Sequence, residues 1–484
     1  MTQTIHGLTI ALPKKHPTFP KQPEIDTPQP EGNPMQAMAE AYGYTLEELT
    51  SLLENSDTNF SVVKQDKGKP SLIIDHGTPQ YDTMRKDMIF AGTIGEKKAE
   101  NLKIVSYDED AGGVLAKGRG SYSINNLAIS KEGKEGGTDA ERAAIGVTDY
   151  AQLEIHHADI ACCGNKLMCS KADNHGILKV YDSHYTCMGA PYGDGVEDGL
   201  DDAPNDLGVH GNTRTHFASM NSASYFYNCS FLANGWGIFS CEFGGRNTIL
   251  EADNCRLITT RGGYGAAVDG YCHVTLSNCF IDVADMGVFT CYDDGDITFK
   301  DCDMHCGKNA ALLLGAFGTA YGASALKIIG STVTSKDDTV RLESEDSTVI
   351  LDHSTITSDT GILIHSVVSK NIFIPKTDGL DVYGIRVYLK NGCYSGDILH
   401  EDSKRDMHVF IDGNTVYEGM IESAILHMEE GSLWKAQRDS HITSADEIPL
   451  SSLDAEEGVT IYAKANENIT CTLPSGGVLK TFTE

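Results

Sequence analysis

Through the middle of the chain, apolar residues recur in short alternating runs, each ending at a polar or glycine hinge followed by a small residue. The hinges are His157-Ala158, Asp182-Ser183, Asn228-Cys229, Asn254-Cys255, Asn278-Cys279, Asp301-Cys302, Gly330-Ser331 and His353-Ser354, spaced mostly by about 23 to 26 residues. Four and two positions before a hinge stand Leu153/Ile155, Leu178/Val180, Leu250/Ala252, Val274/Leu276, Ile297/Phe299, Leu326/Ile328 and Val349/Leu351. Three positions after it come Ile160, Tyr185, Phe231, Leu257, Ile281, Met304, Val333 and Ile356.

Alternation with a period of two marks a strand with one buried face, and its return at a fixed interval marks a solenoid whose coils stack. A single coil cannot bury its apolar face alone; it is stable only on a neighbour. The expected fold is therefore all-β, a parallel β-helix. Asn, Asp and Gly at the hinges tolerate the left-handed backbone of a sharp strand-to-strand turn, and stacked Asn amides can hydrogen-bond from coil to coil.

The flanks read differently. Residues 1–35, with Pro13, Pro17, Pro20, Pro23, Pro28, Pro30 and Pro34, predict an extended arm able to pack on a partner chain, so a homo-oligomer is one expected assembly. Met38, Tyr42, Leu46, Leu49, Leu52 and Leu53 fall at helical spacing and predict a short amphipathic cap over the open end of the solenoid, followed by irregular strands to residue 120. Regular coils are expected over 121–366, interrupted by a loop at 189–216. Residues 367–484 read as looser coils and a β cap.

The formal charge of -31, from 69 acidic against 38 basic residues, argues against nucleic acid or an anionic membrane surface as partner. No run of apolar residues is long enough to span a bilayer, and the start is too short for a secretory core. Of the 14 cysteines, Cys229, Cys255, Cys279 and Cys302 share a register position that other coils fill with Ser or Ala, which predicts stacked, reduced core thiols and a cytoplasmic protein.

Candidate chemistry gathers around a second strand of each coil. Aligning Ile238, Ala266 and Val288 as inward puts Cys241, Asp269, Cys291, Gly315, Glu343 and His365 in an outward row, with Trp236 and Tyr264 one coil apart at the mouth of that face. The adjoining turns hold Glu242, Tyr271, His273, Tyr292 and Arg261. The long loop brings acids together with His210, Arg214 and His216. Such a set supplies proton transfer: Asp269 as base, His273 or His210 as acid, and Arg261 and Tyr271 to stabilise developing charge. Trp236, Tyr264, Glu242, Tyr292, Arg214 and His216 are expected to bind substrate. Asp293, Asp294 and Asp296 form a turn with oxygen ligands for a cation, although such acidic turns usually hold only water.

The Asn228-Cys229, Asn254-Cys255 and Asn278-Cys279 hinges resemble those of the right-handed parallel β-helices of the pectate-lyase-like superfamily, over roughly residues 120 to 366. The resemblance implies a ligand groove along the outer face of one sheet. That superfamily holds lyases, hydrolases, epimerases, fructotransferases and non-catalytic adhesins. Its Asn-Thr-Asp with downstream Gly-His-Gly and its Asp-Pro-His-Asp signatures are absent, so reaction type does not carry over. Gly431-Ser432-Leu433-Trp434 resembles repeats of bacterial surface adhesins.

No glycine-rich phosphate loop opens a helix and no His pair has zinc spacing, so a cofactor-independent reaction is expected. The expected function is a lyase, isomerase or glycoside hydrolase doing acid/base chemistry on a sugar or other small molecule. The alternative is a non-catalytic carbohydrate-binding or adhesin-like module, and a cation-dependent polysaccharide lyase is a third.

Overall fold

A computed structural model describes residues 2–5, 8–11, 45, 47, 69–106, 111–135, 139–165, 167–189, 213–242, 247–268, 270–290, 295–314, 324–369, 384–444 and 448–483. The expected cap helix apart from residues 45 and 47, most of the 189–216 loop, and His210, Asp269, Cys291, Tyr292, Asp293, Asp294 and Gly315 lie outside the described residues.

Each central strand pairs in parallel with the third strand after it, so every coil contributes one strand to each of three sheets. Sheet A runs through Ile177–Tyr181, Ala223–Tyr227, Thr248–Asp253, Cys272–Ser277, Asp296–Lys300, Ala325–Ile329, Thr348–Asp352, Ile385–Lys390 and Met407–Ile411. Sheet B runs from His184–Met188 through Ser230–Ala233 and Arg256–Thr259 to Thr355–Ser358. Sheet C runs through Met168–Ala172, Arg214–Ala218, Gly237–Cys241, Tyr264–Val268, Val288–Thr290, Ala311–Leu314, Val340–Glu343, Ile362–Val367 and Asp397–His400. The molecule is an all-β parallel solenoid.

The hinges join sheet A to sheet B, and they carry the backbone their residue types favour. His157, Asp182, Asn228, Asn254, Asn278, Asp301, Gly330 and His353 all have φ between 49 and 61°. Asn101, Asn126 and Asn391 extend the same column at φ 54, 58 and 48°. Within it Asn254 Nδ2 donates to Asn228 Oδ1 at 2.8 Å, and Asn228 Nδ2 to Asp182 Oδ1 at 3.1 Å. The small residue after each hinge points inward. Ser183 Oγ accepts from the Ala158 N–H at 2.9 Å, Ser331 Oγ from Cys302 N–H at 3.0 Å, and Ser354 Oγ from Ser331 N–H at 3.1 Å. Cys229, Cys255, Cys279 and Cys302 fill the same column, buried, and no described cysteine is bridged.

The core is built of ladders. Leu153, Leu178, Ser224, Leu250, Val274, Ile297, Leu326 and Val349 form one column, and Ile155, Val180, Phe226, Ala252, Leu276, Phe299 and Ile328 a second, nearly all without exposure. Each large side chain so buried contributes about 1.5–3 kcal/mol. Several per coil outweigh any one hinge.

The stack begins before Ser121: Leu72–Asp75 pairs in parallel with Val114–Lys117, and Lys98–Ser106 with Gly120–Glu135. The antiparallel strand Ile89–Ile94 lies on Lys98–Ser106 and covers that edge, lengthening the coil and masking its rhythm in the sequence. Thr2–Ile5 and Leu8–Ala11 form an antiparallel pair within the Pro-rich segment. Towards the C-terminus a separate parallel sheet of Cys393–Ser395, Val416–Glu418, Leu433–Ala436 and Leu453–Ala455 encloses Tyr394, Tyr417 and Trp434. Trp434 is thus core, with Nε1 donating to Gly419 O at 2.9 Å. Among the described residues, no helix is long and apolar enough to cross a membrane.

Replacing Asn254 by Ala removes one side-chain hydrogen bond and forces a Cβ-bearing residue without a helpful amide into the left-handed region. Chemical denaturation is expected to show a loss of about 2 kcal/mol, with Asn254→Gly costing less. Equal stability of both variants and the parent would remove the hinge from the account of the fold.

Candidate functional site

Sheet C carries the outward-facing residues that the sequence singled out, but in a shifted register. Phe239, rather than Ile238, pairs with Ala266, and Ala266 with Val288. Ile238 and Phe239 are both fully buried, and a Cβ on Gly265 or Gly287 would likewise meet core atoms of Ile281 or Met304. Two consecutive inward positions make the alternation along each strand slip by one, while the pairing register between coils stays constant. Outward from sheet C therefore come Lys171, Phe217, Ser240, Ala267, Phe289, Leu312, Arg341 and His365, in one row along the axis.

The slip corrects several expectations. Cys241 pairs with Val268 and is buried in the core. Glu343 pairs with Leu314, and His365 stands beside Arg341. Tyr264 pairs with Gly237 instead of Trp236 and is 1% exposed, so it is no open platform at a groove mouth. Its hydroxyl lies 2.7 Å from Ser240 Oγ and its ring stacks on Phe289. Glycine is needed at 237 because a Cβ there would fall 2.1 Å from the Tyr264 ring. His216 is also interior. Its nitrogens contact Ser170 Oγ and Ser224 Oγ, each at 2.8 Å, its edge meets Phe226, and burial drives its pKa down to about 3. It is a neutral core residue rather than a substrate ligand.

Three expected substrate-binding residues do meet. The Arg214 guanidinium lies 4.3 Å from the Trp236 ring centre and 4.9 Å from that of Phe217, and its Nη2 is 3.5 Å from Glu242 Oε1. Lys171, which sequence reasoning missed, places Nζ 4.1 Å from the Phe217 ring centre and 3.7 Å from Asp173 Oδ2. Burial lowers its pKa.

The proposed catalytic constellation does not assemble as expected. Arg261 is exposed before Tyr264–Val268, whereas Tyr271 and His273 follow that strand. Its five residues hold the two ends roughly 13 Å apart, since a strand rises about 3.3 Å per residue. His273 belongs to sheet A, where Nδ1 lies 3.5 Å from Asp296 Oδ2. Asp296 also meets Lys327 Nζ at 2.7 Å. Burial pushes its carboxyl up, but His273 and Lys327 outweigh it and leave the pKa lowered. Of the expected cation turn only Asp296 lies among the described residues, and there it is paired with Lys327. Among the described residues, no group of three or more His, Cys, Asp or Glu is placed to hold a metal ion.

A different acid/base group occupies the far end of the sheet C row. His365 Nδ1 lies 2.6 Å from Asp338 Oδ2, while Asp338 Oδ1 accepts from Thr360 Oγ1 at 3.1 Å. The other imidazole nitrogen, Nε2, is buried, has no hydrogen-bond partner among the described residues, and lies 3.6 Å from Glu401 Oε1. Arg341 Nε donates to Glu343 Oε1 at 2.6 Å, and Ser369 Oγ to Glu343 Oε2 at 3.0 Å. Glu343 is thus held at both oxygens. The side chains of His365 and Asp338 are only 15% and 11% exposed, whereas that of Glu401 is 67% exposed, so an oriented imidazole faces a carboxylate open to solvent. The outward row contained His365 and Glu343, yet nothing in local spacing flagged Asp338, which approaches from the preceding coil.

No protein-family model, no curated protein and no solved structure matches this chain. Its chemistry has to be read from its own side chains.

The Asp338 hydrogen bond raises the His365 pKa against the effect of burial. Asp338 is lowered in turn, the His365 bond and charge overcoming its own burial. Stability from His365 is fully present below its unfolded pKa near 6.5 and is lost as pH rises through the higher folded value. That from Asp338 is present above about 3.8 and is lost as pH falls through its lowered value. NMR titration is expected to give His365 a pKa above 6.5 that drops in Asp338→Asn; an unchanged value in that variant would discard the pairing.

A second buried acid cluster tightens the turn after Val340–Glu343. Glu345 Oε1 accepts from Ser324 N–H at 3.2 Å, Asp346 Oδ1 from Arg405 Nε at 3.0 Å, and Asp402 Oδ2 from Arg405 Nη1 at 2.8 Å. Burial pushes Glu345 from 4.5 up to about 8. A raised carboxyl resists ionisation in the fold, so this group's contribution is most favourable below about pH 4.5 and declines up to about pH 8. Glu345→Gln is expected to flatten the stability profile over that window, and an unaltered slope in thermal melts at several pH values counts against the assignment.

Proposed function

We propose that the protein is a β-solenoid enzyme performing cofactor-independent acid/base chemistry on a sugar or similar polyhydroxylated molecule at the His365 end of sheet C. The observation that carries the reading is the Asp338–His365 pair with Nε2 directed at Glu401 across 3.6 Å. A protonated His365 suits donation to a leaving oxygen. Glu401, exposed to solvent, suits the opposite task on water or an acidic carbon. Arg341, 3.4 Å from His365 Nδ1, adds positive potential for developing negative charge.

Two further points support the reading. An outer-face location on one sheet is what the resemblance to the pectate-lyase-like superfamily implies, and membership of that superfamily is part of this proposal. About five coils away, Arg214, Trp236 and Glu242 meet at the ends of neighbouring sheet C strands, a second polar and aromatic station. Unbridged thiols in the hinge column fit a reducing compartment and support a cytoplasmic site of action.

The test is turnover of a panel of neutral and uronic oligosaccharides, read as new reducing ends or as ultraviolet absorbance from an unsaturated product. His365→Ala is expected to lower kcat by about 10²–10⁴-fold with a smaller change in KM, and Asp338→Asn to shift the pH profile. Turnover at the parent rate in His365→Ala would exclude this site.

A further inference from the structure

Outward from sheet A, on a different wall from His365, stands a ladder of stacked rings. His156 and Tyr181 lie 4.6 Å apart at 9°, and Tyr181 and Tyr227 5.1 Å apart at 15°. The three occupy one register position in successive coils, and the residue at that position in the preceding coil is Asn125. In a ladder of this kind the inner rings show only their edges. A free ring face exists only at an end, and at the His156 end the next place in the stack is taken by a short amide.

A depression of about 370 Å³ opens there, lined by Lys98, Ser123, Asn125, Glu154, His156 and His157. That is room for one or two rings, not for a polymer strand. Its polar groups suit hydroxyls. Lys98 and Glu154 offer a cation and a carboxylate, and Ser123 lies between them in the same register row. Glu154 Oε1 lies 2.8 Å from His156 Nε2, which fixes the ring plane, and Lys98 Nζ meets Glu100 Oε1 at 2.7 Å. The Asn125 side chain makes no hydrogen bond among the described residues, so both its donor and its acceptor are free for a ligand. Balanced charge at the walls, on a chain of net charge -31, favours a neutral guest over an anion.

We propose that this depression is a saccharide-binding site in which a neutral pyranose ring stacks on the free face of His156, taking the place above Asn125 as one more ring of the ladder. Lys98, Ser123, Asn125 and Glu154 hydrogen-bond its hydroxyls. The site is separate from the acid/base group on sheet C and does not depend on it. A saccharide held here would tether a longer chain to the protein or report its presence, with no bond made or broken.

The full-length protein is titrated by NMR with the methyl glycosides of glucose, galactose, mannose, xylose and N-acetylglucosamine, at concentrations to tens of millimolar, and with adenosine as a flat non-sugar control. At least one glycoside is expected to bind saturably and shift the His156 ring resonances. His156→Ala should weaken it by roughly tenfold, the loss of one stacked ring. Asn125→Trp should abolish it by filling the vacant place in the stack, with circular dichroism and thermal melting checking that this variant folds. His365→Ala should bind as the parent does, so failure of the acid/base reading leaves this one standing. Absence of binding by every glycoside, preference for adenosine, or undiminished binding in a folded Asn125→Trp would each overturn the proposal.

Discussion

Stacking of equivalent residues from successive coils is the constraint on which everything else in this protein depends. One strand per sheet per coil has no stability of its own, because its inward Leu, Ile or Phe would remain in water on two sides. Once coils lie over one another, columns such as Leu250, Val274 and Ile297 close, and residues distant in sequence become nearest neighbours. The hinges make this repeatable. A left-handed residue between sheets A and B sets the same corner in every coil, and the small side chain after it leaves room for the next.

The same geometry explains how chemistry arises on such a scaffold. A strand position contributes one side chain per coil at nearly fixed spacing, so any outward column becomes a line of groups that can cooperate. Sheet C uses this for Arg341 and His365, which are direct neighbours in adjacent coils, and brings Asp338 to the same imidazole from the turn before. Sheet A uses it for rings. Its His156, Tyr181 and Tyr227 stack because their backbones already stand one coil apart.

Burial decides the charge state of the interior ionisable groups. His216 sits between two serines from neighbouring strands and stays neutral. Glu345 resists ionisation for the same physical reason, burial, which outweighs the Ser324 amide that donates to its carboxylate. Both illustrate why an ionisable residue in the chain is poor evidence of function until its surroundings are known.

By itself the sequence determined the solenoid: its hinges, its inward columns and its thiol stack, because these repeat, and repetition makes the register of sheets A and B visible without coordinates. It was less informative wherever alternation slipped. The paired buried positions at Ile238 and Phe239 turned Cys241 to the core and set Tyr264 opposite Gly237, and no local pattern announces such a change of phase. The polar sites were decided by tertiary structure alone. Arg261 and His273 fall at opposite ends of a strand, whereas Asp338, His365 and Glu401 converge from three separate segments. Burial and partners, not residue type, then separate the silent His216 from the oriented His365, since what an imidazole does depends on the dielectric and the charges around it.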